Sequence, residues 1–274
     1  MFKQNSELNN IAMENLPRFS IAIVNYKTLD LTKHCLNLLK KHFDSGALDI
    51  SKVAVWVVDN DSQDESTVFL KAQSWINLIE RKPILGEQGF AAHGAALDLI
   101  LERIDTDYVF LMHTDTLVYE PEVFAWALKQ CVGNEKVVAV GCLDQLNRGY
   151  LRTVWRISSR FFKHYFRRIK IKLGLNSKQP KPYLEKYIKS FFALWDVKKM
   201  RRYDLRFFMN DRIPGYELQD FFISKNYEVR KVSPMKLFKF LDHVEAGTVG
   251  IVSGYSENNR RTKRKKSVLN QLNQ

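Results

Sequence analysis

Asp115 is the residue of this chain best placed by its neighbours to do chemistry. It closes the stretch Tyr108-Val-Phe-Leu-Met-His-Thr-Asp115, whose apolar run is bounded upstream by Asp105-Thr-Asp107. A short apolar run between polar boundaries reads as a strand buried on both faces. Such a strand delivers His113, Thr114 and Asp115 to its carboxyl end, where open α/β sheets bind their ligands. A carboxylate there can serve as an oxygen ligand for a divalent cation that carries a phosphorylated substrate. The competing reading is that Asp115 caps the helix after Pro121 or closes a turn. Two more polar clusters end apolar runs in the same way: Asn25-Tyr26, and Asp59-Asn60-Asp61-Ser62 with Asp64. Successive parallel strands bring their carboxyl ends to one edge, so the three clusters can converge.

The elements that must position these clusters alternate in type. Residues 19–25 and 53–58 are apolar and β-rich and predict strands, with 76–79 a third and 137–142 a later one. Between them, 28–43 places Leu31, Cys35, Leu38 and Leu39 on one helical face, and 89–104 does so with Leu97, Ile100 and Leu101. Helices are also expected at 63–75 and after Pro121, and a loop at Pro83 and Gly86. This alternation predicts right-handed βαβ units around a mostly parallel sheet flanked by helices. Farther on come an apolar run at 191–195, a helix at 216–225, and strands near Val229 and at 237–241.

Composition narrows the classes. The 274 residues fit one large domain, with or without an appendage. No apolar run approaches the roughly 20 residues of a membrane span, and residues 1–17 lack the apolar core of a signal peptide. The three cysteines, Cys35, Cys131 and Cys142, match no metal pattern and point to a reducing compartment. A net charge of +13 implies an anionic partner: nucleic acid, a membrane surface or a phosphorylated substrate. Residues 145–184 carry no acidic residue and eleven Lys or Arg. Within them Arg152, Arg156, Arg160, Lys163, Arg167 and Lys170 recur at helical spacing, with Trp155, Phe161, Phe162, Tyr165, Phe166, Ile169 and Leu173 around the rest of the helix. That stretch, 152–173, can lie on an anionic membrane, bind nucleic-acid phosphates, or pack its aromatics on the domain with its basic face in water.

The order of motifs from about Phe19 to Thr248 resembles the inverting glycosyltransferases of family 2, and their rhamnosyltransferase-like members in particular. Val24-Asn-Tyr26 and Val58-Asp-Asn-Asp-Ser-Gln-Asp64 resemble the ends of that family's first two strands. Gly89-Phe-Ala-Ala resembles the segment opening the helix before its diphosphate-metal motif, and His113-Thr-Asp115 stands in that motif's place. Gly215-Tyr-Glu-Leu-Gln-Asp220 is similar to the helix start that bears the catalytic base, and Leu241-Asp-His-Val-Glu-Ala-Gly-Thr248 to a late segment whose His reaches the metal. The resemblance implies a GT-A (Rossmann-like) α/β fold with a basic helical insertion and a C-terminal acceptor-side region. It divides the chain into a polar lead-in (1–17), a nucleotide-sugar-binding half (18–144), a basic helical segment (145–184), an acceptor and catalytic-base half (185–250) and a basic tail (251–274).

The implied activity is metal-assisted, inverting transfer of a sugar from a nucleotide diphosphate sugar to a glycan or glycolipid acceptor. Donor contacts fall to Asn25, Tyr26, Asp59, Asn60, Asp61, Gly89 and Thr114, with Asp59 able to accept from the ring N–H of a uracil or thymine base. Asp115, His243 and His113 are the implied ligands of a divalent cation, Mn²⁺ or Mg²⁺, and imidazole suits Mn²⁺ better. Glu217 and Asp220 point to one side of a helix, and the alignment leaves the base at either, with Asp220 favoured because it directly precedes Phe221-Phe222-Ile223. Two departures are visible: His113 replaces the motif's usual first Asp or Asn, and His93 and Gly94 stand near where an Asn is expected. The expected location is the cytoplasm, peripheral at the inner face of the membrane. The alternatives are a catalytically weakened GT-A-like protein that binds nucleotide sugar and, from another class, a basic nucleic-acid-binding protein, though no recognised nucleic-acid module is present.

Overall fold

The computed structural model describes residues 16–147 and 149–244. The expected polar lead-in up to residue 15, the end of the late motif at 245–248 and the basic tail lie outside the described residues. In chain order the elements are β1 (Phe19–Asn25), α1 (Leu29–Asp44), β2 (Val53–Asp59), α2 (Glu65–Lys71), β3 (Asn77–Glu80), α3 (Gly89–Arg103), β4 (Tyr108–His113), β5 (Thr116–Val118) and α4 (Glu122–Cys131). There follow β6 (Val137–Cys142), α5 (Gly149–Lys172), β7 (Phe192–Asp196), α6 (Val197–Arg202), α7 (Tyr216–Ser224), β8 (Glu228–Val232), α8 (Pro234–Leu237) and β9 (Leu241–His243).

Seven strands form one sheet in the order β3-β2-β1-β4-β7-β6-β8, so strands from 18–144 and from 185–250 enter the same layer. β3, β2, β1 and β4 run parallel, as do β6 and β8, while β7 is antiparallel to both of its neighbours. The apolar runs are buried because helices cover both faces of the sheet. On one face α1 and α4 pack over the sheet, where Phe124 of α4 meets Phe19, Phe110 and Phe192, with contacting ring centroids 5.0 to 5.7 Å apart. On the other, α3, α6 and α7 pack against Val58, Leu111 and Trp195. The expected mostly parallel α/β sheet flanked by helices is therefore the observed architecture.

Local departures from the sequence reading have local causes. The helix expected over 63–75 stops at Lys71, because the chain must turn for Asn77 to pair with Trp56 in β3. The strand expected at 237–241 begins only at Leu241. Pro234 pre-sets the first turn of α8 instead, which buries Leu237. The short strands β5 and β9 pair antiparallel, with Thr116 opposite His243; the sequence reading gave no strand at β5 and reached β9 only at Leu241. That two-stranded ribbon has the largest consequence for the site. No helix among the described residues is long and apolar enough to cross a membrane.

Candidate active site

The strand ends do converge. Asn25 pairs in register with Asp59, and Val24 with His113, so β2, β1 and β4 finish side by side. Their polar residues bond to one another. Asn25 Nδ2 donates to Asp59 Oδ1 at 2.9 Å, and Asn25 Oδ1 accepts from Thr32 at 2.8 Å and from Thr28 at 3.0 Å. The Thr28 hydroxyl lies 3.1 Å from that of Thr114. Asp59 also accepts from Ser62 at Oδ1 and from Thr67 at Oδ2, the latter at 2.6 Å. Buried polar groups of this kind must be satisfied, and here each satisfies another, giving a rigid polar floor across three strands. Tyr26 and Asp61 are half-buried at its rim, Asp61 with a left-handed φ of 63°. Asn60 is buried, and its side-chain oxygen accepts from Arg81 at 2.8 Å.

Beyond the floor lies a cluster of His113, Asp115 and His243, whose candidate ligand atoms all fall within 4.8 Å of one another. β4 supplies His113 and the turn after it supplies Asp115. β9 supplies His243, held alongside by pairing with β5 and by the Val244 N–H donating to the Asp115 carbonyl at 2.9 Å. His243 Nε2 is 3.1 Å from Asp115 Oδ1, and His113 Nδ1 is 3.8 Å from the same oxygen. The other nitrogen of each ring is anchored: His243 Nδ1 to the Gln145 carbonyl at 3.0 Å, His113 Nε2 to the Ser190 hydroxyl at 3.0 Å. Because a carbonyl only accepts, His243 carries its proton on Nδ1. Nε2 then turns a lone pair toward Asp115, unless the ring is a full imidazolium paired with that carboxylate. Anchoring the ring nitrogen that turns away from the metal position is how histidines that hold a metal are oriented. Two imidazole nitrogens and a carboxylate oxygen thus fit a divalent cation with coordination positions left open. His93, on α3, packs edge-on against His113 at 5.5 Å. Burial holds both of these imidazoles well below their ordinary pKa, so they are neutral near pH 7; Asp115 pulls His113 the other way without prevailing.

Gly89 opens α3 with a φ of 58°, one turn before His93. Farther along the helix, on another face, Gly94 and Asp98 clamp the 207–214 loop that leads into α7. A Cβ at Gly94 would lie 2.6 Å from Phe208 Cβ and 2.8 Å from Pro214 Cγ. Asp98 accepts from the Phe207 and Phe208 N–H groups at 2.6 and 3.1 Å.

The two candidate bases lie on α7, engaged by cations. Glu217 pairs with Arg212 at 2.5 Å, while Asp220 accepts from Lys186 at 2.6 Å and Tyr187 at 2.7 Å and pairs with Arg212 at 3.0 Å. Burial pushes the Asp220 pKa up, but those three donors outweigh it and hold the carboxyl below its usual range. The path from α7 to the histidines runs through residues 187–190: Tyr187 stacks on Tyr216 at 4.0 Å, Lys189 donates to the Tyr216 hydroxyl at 2.9 Å, and Ser190 bonds His113. Sequence reading missed Arg81, Gln145 and Ser190. Arg81 carried a weak signal, since it directly follows a strand. Gln145 acts through its backbone carbonyl and carried none.

Comparison with known proteins agrees with this architecture. The chain matches the profile of glycosyl transferase family 2 over residues 20–192, more than half its length and including β4 with His113 and Asp115. A mannosyltransferase from Pyrobaculum calidifontis, solved with GDP-Man and Mn²⁺, superposes with a TM-score of 0.54 at 16% identity, over 79% of this chain and 55% of that one. TarS residues 1–349 from S. aureus gives 0.46 at 13% identity (82% and 56% covered), and glucosyl-3-phosphoglycerate synthase from Mycobacterium tuberculosis gives 0.40 at 17% (66% and 57%). The chain thus spans little more than half the length of these structures, and only the first supports an argument, one about fold. No curated protein matches the chain. With the family profile covering 20–192, and so the converging ends of β1, β2 and β4, the chain belongs to glycosyl transferase family 2.

Proposed function

We propose that the chain transfers a sugar from a nucleotide diphosphate sugar to a glycan or lipid-linked acceptor, with inversion and with help from a divalent cation. The observation that carries this reading is the His113, Asp115 and His243 cluster beside the polar floor. When bound, the cation would neutralise charge on the departing diphosphate, and the two imidazoles favour Mn²⁺ over Mg²⁺. The mannosyltransferase that shares the fold was solved with GDP-Man and Mn²⁺, and a donor and metal of those classes are what we propose here. Asn25, Thr114 and Asp59 are assigned to holding the donor end of the site, with Tyr26, Asn60 and Asp61 at its rim and Gly89 at the α3 entrance. A carboxylate has about four acceptor sites. Asp59 commits two on Oδ1 and one on Oδ2, which leaves one for the ring N–H of a base.

Asp220 is the proposed general base and Glu217 its alternate. The lowered pKa keeps Asp220 ionised, as a base must be, while Lys186, Tyr187 and Arg212 blunt its basicity. An acceptor hydroxyl must therefore replace at least one of these partners. The same pinning favours a second reading, a family member that binds nucleotide sugar with little turnover. The discriminating experiment offers a panel of nucleotide sugars with Mn²⁺ and follows release of nucleoside diphosphate. Under the first reading Asp220→Asn lowers turnover by about 10² or more with little effect on donor binding, and Glu217→Gln does less. The reverse order moves the base to Glu217. Donor binding without release from any donor, with and without glycan and lipid-linked acceptors, selects the second reading.

A further inference from the structure

The 24-residue helix α5 has no buried residue, and its contacts with the body decide which way it faces. Arg156 pairs with Asp144, Arg160 with Glu185 at 2.7 Å, and His164 Nδ1 lies 2.9 Å from the Lys181 carbonyl. Part of the basic face is thus laid on the domain, Phe161 and Tyr165 pack on Tyr183, and the remaining apolar side chains face away. Leu151, Trp155, Phe162, Phe166, Ile169 and Leu173, spaced by four, seven, four, three and four residues, form one stripe turned outward. Trp155 is 76% exposed and Phe162 70%. Single exposed apolar side chains are ordinary, but a row of six on one side of a helix, interrupted only at Ser158 and Ser159, marks a contact surface. By helical geometry exposed cations flank the stripe on both sides, Arg152 and Lys163 on one, Arg168 and Lys172 on the other.

We propose that α5 lies in the plane of an anionic lipid bilayer, its apolar stripe among the acyl chains nearest the headgroups and its flanking cations at the lipid phosphates. Charge complementarity selects this occupant. Pairing with a second copy through the same stripe would bring two acid-free cationic helices together, and nucleic acid can stack bases on the aromatics but offers no apolar medium for Leu151, Ile169 and Leu173. Glu185 also ties α5 to the candidate base helix, since it pairs with both Arg160 and Lys189, and Lys189 bonds Tyr216 at the start of α7. The bilayer then lies on the acceptor side, and the acceptor is lipid-linked; only this last step rests on the sugar-transfer reading.

The test is sedimentation of the full chain with phosphatidylcholine vesicles, with and without phosphatidylglycerol. The wild type sediments with the anionic vesicles and only weakly with neutral ones. Substituting Trp155→Ser, Phe162→Ser and Phe166→Ser together weakens binding about tenfold or more, and Lys163→Glu with Arg168→Glu does likewise. These side chains are exposed, so unchanged thermal unfolding shows the fold intact. Stabilisation by a nucleoside diphosphate with Mn²⁺ persists in both variants if the donor site is as assigned, which separates failure of the membrane site from failure of the sugar-transfer reading. The proposal is overturned if the wild type ignores anionic vesicles or the triple variant binds like the wild type. It is equally overturned if the stripe mediates a dimer that the triple variant abolishes, or if duplex DNA strips the protein from vesicles.

Discussion

His243 shows how a single residue acquires a role from its surroundings. Its Nδ1 is committed to the Gln145 carbonyl, so its Nε2 either carries a second proton toward Asp115 or offers a lone pair to a cation. The Ser190 hydroxyl anchors His113 Nε2 from the other side, and as donor or acceptor it leaves the tautomer of His113 open. Ser190→Ala should therefore weaken Mn²⁺ binding by roughly 10- to 100-fold, the usual cost of losing a partner behind a ligand, while Asp115→Asn should remove it. Calorimetric titration with Mn²⁺ checks this, and equal affinity in Ser190→Ala would free His113 from the cluster. Asp98 is a second residue defined by burial, which raises its carboxyl pKa to about 6 from an ordinary 3.8, against the pull of the Phe207 and Phe208 N–H groups. Because the folded value is the higher one, the folded protein holds the extra proton between the two values. The stability that Asp98 contributes is thus full below the unfolded pKa and lost as pH rises through about 6. Measured as wild type minus Asp98→Asn, the unfolding free energy should fall by about 2 kcal/mol between about pH 4 and pH 7. A difference that does not change with pH would contradict the raised value.

Among the elements, α3 organises more of the site than its sequence suggests. Its first turn brings His93 against His113, and its Gly94 admits Phe208 and Pro214 at distances no side chain would allow. Gly94→Ala should cost about 1 to 3 kcal/mol by overpacking. Since the same loop carries Arg212 toward Glu217 and Asp220, the variant should lower sugar transfer more than it lowers Mn²⁺ binding. Parallel losses in the two assays would remove the loop from the mechanism. β1, β2 and β4 were legible in the sequence because strands covered on both faces are continuously apolar, and their polar ends stood out against them. β5 was not, and β9 only at Leu241: three residues each, they pair with each other across more than a hundred intervening residues. His243 was reached through resemblance to a family, and its partners Gln145 and Ser190 became visible only with the chain folded.

At the scale of the molecule, one sheet gathers the strand ends, one ribbon adds His243, and α5 turns an apolar row outward beside cations. The sequence showed the amphipathic character of α5 but left its orientation open, because the direction depends on Asp144 and Glu185, which lie outside the helix. The central claim is that the cluster beyond β4 binds a cation for a nucleotide diphosphate. Thermal unfolding with a nucleoside diphosphate tests it most directly, in Mn²⁺ and then in EDTA. The account predicts stabilisation in Mn²⁺, about 2.7 kcal/mol at 100 times the dissociation constant, little or none in EDTA, and none of the metal dependence in Asp115→Asn. Equal stabilisation in Mn²⁺ and EDTA would contradict it.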